Sequence, residues 1–498
     1  MIKNIRSTLK NSLIYGLGNL STKVVGFILI PIYTKHLSVS DYGALGILEV
    51  SAMILSAFFS FGLYNGLFRW YCDKNYVHRQ KAMIYTSTLF LLLIVIGMYL
   101  FMAPFAKQFS YLLFDSPDYV YILKILLISA GMEIVLLMPN TLIRIQEKPV
   151  LFTVANIIKL TTSLLFTIYF VVFLNRKIEG IYEALIIAQF VYAVYLAKYY
   201  RRNIEFKLDI LVLKEMLIFS FPLALSALSS VALSITDRYA LKFFGGLSDV
   251  GLYSLGYKMA NTITVFIVSS VNLAIGPMIY KMIDDPNNKR FYSKLLTYYT
   301  YGLMFFILGM SLFGKEVIKF ITQNPAYYDS HKVIPIISFS ILFFVLRYVT
   351  IIGLQIVKKT TLMGVLVTIM SVVNLGMDVL LIPFFQSIGA AVATLSTSVI
   401  FFFVTFWYAQ KYYKIPYEMA KIYKMVFIAI AIVGLAYLTN PYHLVFRIVV
   451  KTLLIASFPL ILSKMNFYEP VEILALKNAW KKWHNPKNWK ENLKNIKL

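Results

Sequence analysis

Seven charged side chains interrupt otherwise apolar stretches of this chain: Lys23, Glu49, Asp237, Arg238, Lys258, Arg347 and Asp378. A charge held in hydrocarbon costs roughly 2.5–3.5 kcal/mol on insertion scales, so each needs a partner, a route to the interface or a wet cavity. The chemistry open to such a set is electrostatic. Arg holds phosphate oxygens by paired hydrogen bonds and Lys as a point charge, whereas a carboxylate holds a proton or a cation. Lys23 lies twelve residues from both Asn11 and Lys35, hence about 18 Å from either end of a helix and beyond easy snorkelling. Glu49, eight residues past Asp41 on the next apolar run, is its expected partner, in a cavity or as a static brace between two helices. Arg347 is fifteen residues from Lys332 and eleven from Lys358; its charge is permanent, so it fixes a positive centre or braces a helix pair.

Asp237 and Arg238 precede Lys242 closely. Adjacent residues diverge by about 100° on a helix, so only one of the two is expected to face a cavity. Lys258 either joins that cluster or snorkels. Asp378 follows Asn374 by four residues and shares its helix face. Glu133 and Lys159 each lie eleven residues from the turn at 144–148, which predicts a structural salt bridge. Lys124, Glu183, Arg447 and Lys451 read as interface anchors.

Covalent and metal chemistry find little support. One cysteine, Cys72, allows no intramolecular disulfide, and His36, His78, His331, His443 and His484 show no ligand spacing. No Walker A sequence is present, so the chain is expected to hydrolyse no ATP. No catalytic residue, cofactor or metal site is expected; a coupling ion, Na⁺ or H⁺, at Glu49, Asp237 or Asp378 is the exception left open.

The elements that carry these charges follow from composition. Apolar and aromatic residues make up 59% and charged residues 14% of the 498 positions, against about 45–50% and 25% in soluble domains. A water-soluble globule is excluded. Apolar runs predict fourteen transmembrane helices, near 11–34, 42–68, 82–106, 119–143, 150–174, 180–199, 215–241, 250–280, 291–314, 333–356, 361–382, 387–410, 423–439 and 444–463. The fold class is an all-α polytopic membrane protein. Of the 48 Lys and Arg, 32 fall in the amino terminus, alternate connectors and tail, which puts both termini in the cytoplasm of an inner-membrane protein. The net charge of +25 then faces anionic lipid headgroups, and no nucleic-acid partner is needed. Trp70, Tyr71, Tyr199, Tyr200, Trp407 and Tyr408 mark span ends. The first span is too long for a signal peptide and is expected to be retained. In the tail, Ile473, Leu476, Trp480 and Trp483 share a face beside Lys477, Lys481 and Lys482, predicting a short helix on the inner leaflet.

Six spans return the chain to its starting side, so a second six would be related to them by an axis along the membrane normal. A shift of 210 matches Leu37, Ser38, Leu45, Gly46, Ser60, Leu63 and Gly66 with their counterparts from Leu247 to Gly276; a shift of 208 pairs Asp41-Tyr42-Gly43 with Asp249-Val250-Gly251. The expected units are 1–205 and 206–415, two six-helix lobes, then 416–463 with two extra helices and 464–498 as a basic cytoplasmic tail.

Several motifs carry a resemblance: Leu37-Ser-Val-Ser-Asp-Tyr-Gly43, Phe221-Pro222, Thr236-Asp-Arg-Tyr239, Val250-Gly-Leu-Tyr-Ser-Leu255, and Asn374 with Ile382-Pro383 and Gly389-Ala-Ala391. In this order they resemble the polysaccharide, or O-antigen type, flippases of the multidrug, oligosaccharidyl-lipid and polysaccharide exporter superfamily. The resemblance implies a two-lobed bundle whose central cavity opens alternately to the two sides. It also implies a polyprenyl-linked oligosaccharide as substrate, carried across the membrane for cell-surface polysaccharide biosynthesis, with polysaccharide biosynthesis proteins as partners. The buried cations would then form an electropositive vestibule for the phosphate of that lipid. Polar candidates for sugar hydroxyls are Asn19, Ser21, Thr22, Asn65, Ser229, Thr236, Asn261 and Asn272. A cation-coupled multidrug exporter of the same superfamily is the alternative, kept open by Asp237. A membrane glycosyltransferase, polymerase or ligase needs a catalytic outer loop, and the longest here, near 315–332, is too short.

Overall fold

The computed structural model describes residues 26–283 and 285–474, and these are helical, with no strand among them. Lys23, Asn19, Ser21 and Thr22 lie outside the described residues, as does nearly all of the predicted tail helix. The helical content has a physical cause. Hydrocarbon offers backbone groups no partners, so each N–H and C=O must be satisfied within the segment.

In chain order the helices are α1 (residues 26–36), α2 (Val39–Phe59), α3 (Leu63–Tyr71), α4 (Gln80–Met102), α5 (Ala106–Phe114), α6 (Val120–Ile145), α7 (Pro149–Ile168) and α8 (Lys177–Arg202). There follow α9 (Ile210–Phe244), α10 (Leu247–Ala260), α11 (Ser269–Lys281), α12 (Asn288–Thr322), α13 (Val333–Thr350) and α14 (Ile352–Ile356). The last are α15 (Thr360–Tyr412), α16 (Met419–Tyr437) and α17 (Leu444–Lys464). Among the described residues, ten helical stretches are long and apolar enough to cross a membrane. The 53-residue α15 is two of the predicted spans, because Gln386 (φ 49°, ψ −128°) breaks it into antiparallel arms. The α10–α11 pair and α12 take the places of two more predicted spans, and most of the predicted first span, 11–34, lies outside the described residues. The predicted second span breaks at Phe61 (φ 50°) and Gly62 (φ 61°) into α2 and α3. The predicted eighth passes through a π-helical turn, Thr264–Val268, between α10 and α11.

Packing sorts these helices into two lobes. In the first half α4 packs on α6, and α6 and α7 pack on α8; in the second, α9 and α13 flank α15 and α12 packs on α13. The lobes meet where α2 crosses α10 and where α2 and α3 run along α9. The α2–α10 crossing is reciprocal. A Cβ on Gly43 would overlap the Leu247 carbonyl, and one on Gly251 the Val39 carbonyl; both contacts map onto each other under a shift of 208. Ser40 and Ser248, equivalent under the same shift, share a 2.9 Å hydrogen bond. Such self-complementary contact is what a two-fold relation produces, and it selects 208 over 210 as the local register. Ser38 caps α2 through a reciprocal bond with Asp41, fixing where the crossing starts.

The basic connectors gather at one end of the bundle. Arg79 pairs with Asp209, Gln146 bonds Tyr71 and Asn203, and Tyr413 bonds Asn288. Helices α16 and α17 pack on α12. Two expectations fail. Glu133 and Lys159 form no ion pair; the Lys159 ammonium instead lies 5.9 Å from the Tyr192 ring centre, because equal depth on two helices leaves their rotation undetermined. Arg447 and Lys451 are not interface anchors: both are buried and clasp Glu316 of α12.

Candidate functional site

The Glu49 and Lys258 side chains meet across the lobe boundary, Lys258 Nζ lying 3.0 Å from Glu49 Oε1 and 3.4 Å from Oε2. Lys258 is thus a partner of Glu49, whereas Lys23, the partner expected from the sequence, lies outside the described residues. The α2–α10 crossing puts Lys258 opposite Glu49, a proximity of residues 209 apart that span-by-span reading does not reveal. Their side chains keep 33% and 46% exposure, although Glu49 lies six residues, about 9 Å, below Gly43. The pair therefore lines an opening. The Lys258 ammonium also sits 5.8 Å from the Tyr42 ring centre.

Asp237 and Arg238 pair with each other, against the expectation that they diverge. Arg238 Nη1 lies 3.3 Å from Asp237 Oδ1 and 3.2 Å from the Ser234 carbonyl. Helix geometry fixes where Cβ points, and the long arginine folds back along α9 to reach its neighbour. The guanidinium lies 4.7 Å from the Tyr257 ring centre and 5.6 Å from that of Tyr253. The Tyr253 hydroxyl donates to Asp237 Oδ2 and lies 3.3 Å from Thr394 Oγ1. One turn away in space, Thr236 donates to Asn374 Oδ1 at 2.8 Å, and Asn374 Nδ2 reaches Thr397 at 3.4 Å.

Asp378 is fully buried beside Asn374, and neither carboxylate oxygen has a hydrogen-bond partner among the described residues. It lies close enough to Asp237 for their charges to interact. Arg347 completes the set. Its guanidinium lies 4.3 Å from the Phe401 ring centre and 5.4 Å from that of Phe344, with no carboxylate in ion-pair range among the described residues. It lines a cavity of about 70 Å³ together with Asn374, Thr394, Thr397 and Ser398. Arg347 and the Asp378 network thus border one polar space. Three cations (Lys258, Arg238, Arg347) meet three carboxylates (Glu49, Asp237, Asp378) here. Lys258 and Arg238 each pair with a carboxylate and Arg347 with none among the described residues, while Lys23, on which the expected electropositive vestibule also rests, lies outside them.

A larger cavity of about 410 Å³ lies at the lobe boundary, bordered by Ile54 of α2, Ser229, Thr236 and Tyr239 of α9, and Ser371 of α15. Along the chain, Ile54 lies between two contacts of the lobes, at Gly43 and at Gly62. On one side stands the α2–α10 crossing, with the Tyr327 hydroxyl donating to the carbonyls of Leu37 (3.0 Å) and Ser38 (2.8 Å). On the basic side α3 closes on α9: Gly62 and Gly66 sit against Ser220. There Glu215 accepts from Trp70 Nε1 at 2.9 Å and from the Tyr76 hydroxyl at 2.7 Å, and Arg69 stacks 4.5 Å from the Phe219 ring centre. Of the polar candidates, Ser229 and Thr236 line the cavity, whereas Asn272 accepts from Tyr299 within a helix contact. Sequence reading missed Tyr253, Thr394, Tyr327 and Glu215. Only Glu215 carried a local signal, an acid following the basic run Lys198–Lys214.

Residues 8–283, more than half the chain, match the family described as polysaccharide biosynthesis protein; the chain belongs to that family. An uncharacterized membrane protein of Methanocaldococcus jannaschii is 27% identical over 190 residues, a match that covers 36% of this chain and 36% of that relative. The lipid II flippase MurJ in an inward closed conformation superposes with a TM-score of 0.73 at 12% identity, covering 92% of this chain and 100% of that one. An inward-facing multidrug resistance MATE family transporter of the MOP superfamily gives 0.66 at 15% identity, covering 80% and 94%. The fold is the two-lobed, multi-pass helical bundle of these structures.

Proposed function

We propose that the chain is a flippase that moves a lipid-linked oligosaccharide across the cytoplasmic membrane by alternating access, with both termini cytoplasmic and no covalent chemistry. One observation carries the reading: a cavity lies between the two lobes, bordered by α2, α9 and α15, and a partly exposed ion pair, Glu49–Lys258, bridges the lobes where α2 crosses α10. Closing the cavity requires its charges to satisfy one another, since an unpartnered buried charge is strongly unfavourable. Parting α2 from α10 separates Glu49 from Lys258. A phosphate or pyrophosphate entering with its sugar takes the place of Glu49 on the lysine, and Arg347 offers a second contact. The Glu49–Lys258 pair is thus compatible with a phosphorylated cargo, because the carboxylate acts as a stand-in for it.

The family match, and the lipid II flippase among the structural neighbours, support this substrate class over a drug. Asp378 keeps the drug-exporter reading in play, as a buried carboxylate without a partner suits a cation. We assign it, with Asp237, Asn374 and Thr394, to a coupling ion, H⁺ or Na⁺, in the second lobe.

The test is translocation of a labelled polyprenyl-pyrophosphate oligosaccharide in liposomes. The protein accelerates it well above protein-free vesicles, and Lys258→Gln and Lys23→Ala slow it while leaving folded yield intact. Efflux of cationic drugs, with no movement of the glycolipid, would transfer the chain to the exporter class.

A further inference from the structure

At the end of the bundle away from the basic connectors, α12, α13 and α16 enclose a pocket of about 230 Å³ that the translocation route does not use. Its charged lining is cationic, Lys315, Lys332 and Lys451, joined by the polar His331, Tyr437 and Asn440. Leu312, Ile336 and Val433 supply apolar walls.

The charges are arranged rather than scattered. Lys451 is 2% exposed, and its ammonium spends two donors on Glu316, at 2.8 and 3.0 Å, which leaves a third. Arg447 holds the same carboxylate. Lys332 pairs with exposed Asp329 at 2.9 Å, and Lys315 has no ion-pair partner among the described residues. Four cations against two acids leave a net +2 around the pocket. Neither acid lines it.

Depth identifies the visitor. Lys315 lies seven residues before the end of α12, about 10 Å along the axis, at the level where headgroups give way to acyl chains. Tyr437 (62% exposed) and Ile388 (37% exposed) form an apolar rim open to the surroundings. We propose that this pocket binds the phosphate of an anionic phospholipid from the adjacent leaflet. The phosphate meets Lys315, Lys332 and the free Lys451 donor while the chains lie along the rim, pinning α16 and α17 to the second lobe.

Native mass spectrometry of the full-length protein in detergent tests this with phosphatidylglycerol, phosphatidylcholine and inorganic phosphate as probes. One phosphatidylglycerol is retained by the wild type and by Lys319→Gln, a nearby exposed lysine outside the pocket. Retention falls roughly thirty-fold in the double variant K315Q/K332Q, as loss of about 1 kcal/mol per lysine requires, and in part in Lys332→Gln, whose exposure leaves folding untouched. Phosphatidylcholine is not retained. Displacement by millimolar phosphate would keep the phosphate site but make its source soluble. Equal retention in all variants, or equal retention of phosphatidylcholine, overturns the proposal.

Discussion

Asp378 is the residue whose situation is least explained by packing alone: buried, one turn from Asn374, with no hydrogen bond to either carboxylate oxygen among the described residues. A side chain that only filled space would be apolar at that position, because an unsatisfied polar group in a buried site costs about 1–3 kcal/mol. If it holds the coupling ion, Asp378→Asn folds normally and translocates at a rate that no longer responds to Na⁺ or proton gradients. Rates measured in liposomes under imposed gradients decide this, and unchanged gradient dependence would leave Asp378 without that role. The shared helix face of Asp378 and Asn374 and the distance of Arg347 from both span ends were read from spacing alone. Their partners were not, because partner choice depends on which helix lies across, and for Arg238 on how a flexible chain bends.

Among the elements, α2 and α10 act as a pair whose closeness rests on two glycines. Helix contacts in membranes tighten when small residues let backbones approach. Gly43→Leu forces α2 away from Leu247 and Gly251 and should bias that end open. In a Cys72→Ser background, since Cys72 is exposed, maleimide labelling of Ser248→Cys then rises several-fold; unchanged labelling would mean that the crossing is not a closure. At the basic end, Lys294 of α12 ties the loop at Glu418 to the segment after α17 at Glu469. Burial pulls the Glu418 carboxyl upward, but hydrogen bonds from Lys294, Thr297 and Lys421 outweigh it and hold it below the usual range. The Lys294 hydrogen bond likewise lowers Glu469. Groups with depressed folded-state pKa values stabilise fully above the unfolded value, about 4.3 for Glu, and lose that contribution as pH falls through the folded one. The protection of amides at 465–472 against hydrogen exchange, taken relative to the intrinsic rate at each pH, is therefore expected to hold down to about pH 5 and to fall below about pH 4. The apolar runs revealed the spans themselves, whereas the breaks at Phe61–Gly62 and Gln386 did not show, since single positive-φ residues leave hydropathy unchanged.

On the scale of the whole molecule, the two lobes and their approximate two-fold relation were foreshadowed by the faint repeat, and the α2–α10 contact supplies its register. The sequence did not disclose the contacts between the lobes, because such contacts depend on both lobes and leave no trace in either. The account's central claim is that Glu49 occupies the place of the cargo phosphate on Lys258. Affinity for a polyprenyl pyrophosphate, measured by titration in detergent for the wild type, Glu49→Gln and Lys258→Gln, tests it directly. Freeing or removing a charge contact of this kind is worth about 1–2 kcal/mol, so Glu49→Gln should bind several-fold more tightly and Lys258→Gln several-fold more weakly. If both substitutions weaken binding equally, or neither changes it, the ion pair is a brace between the lobes and the account fails.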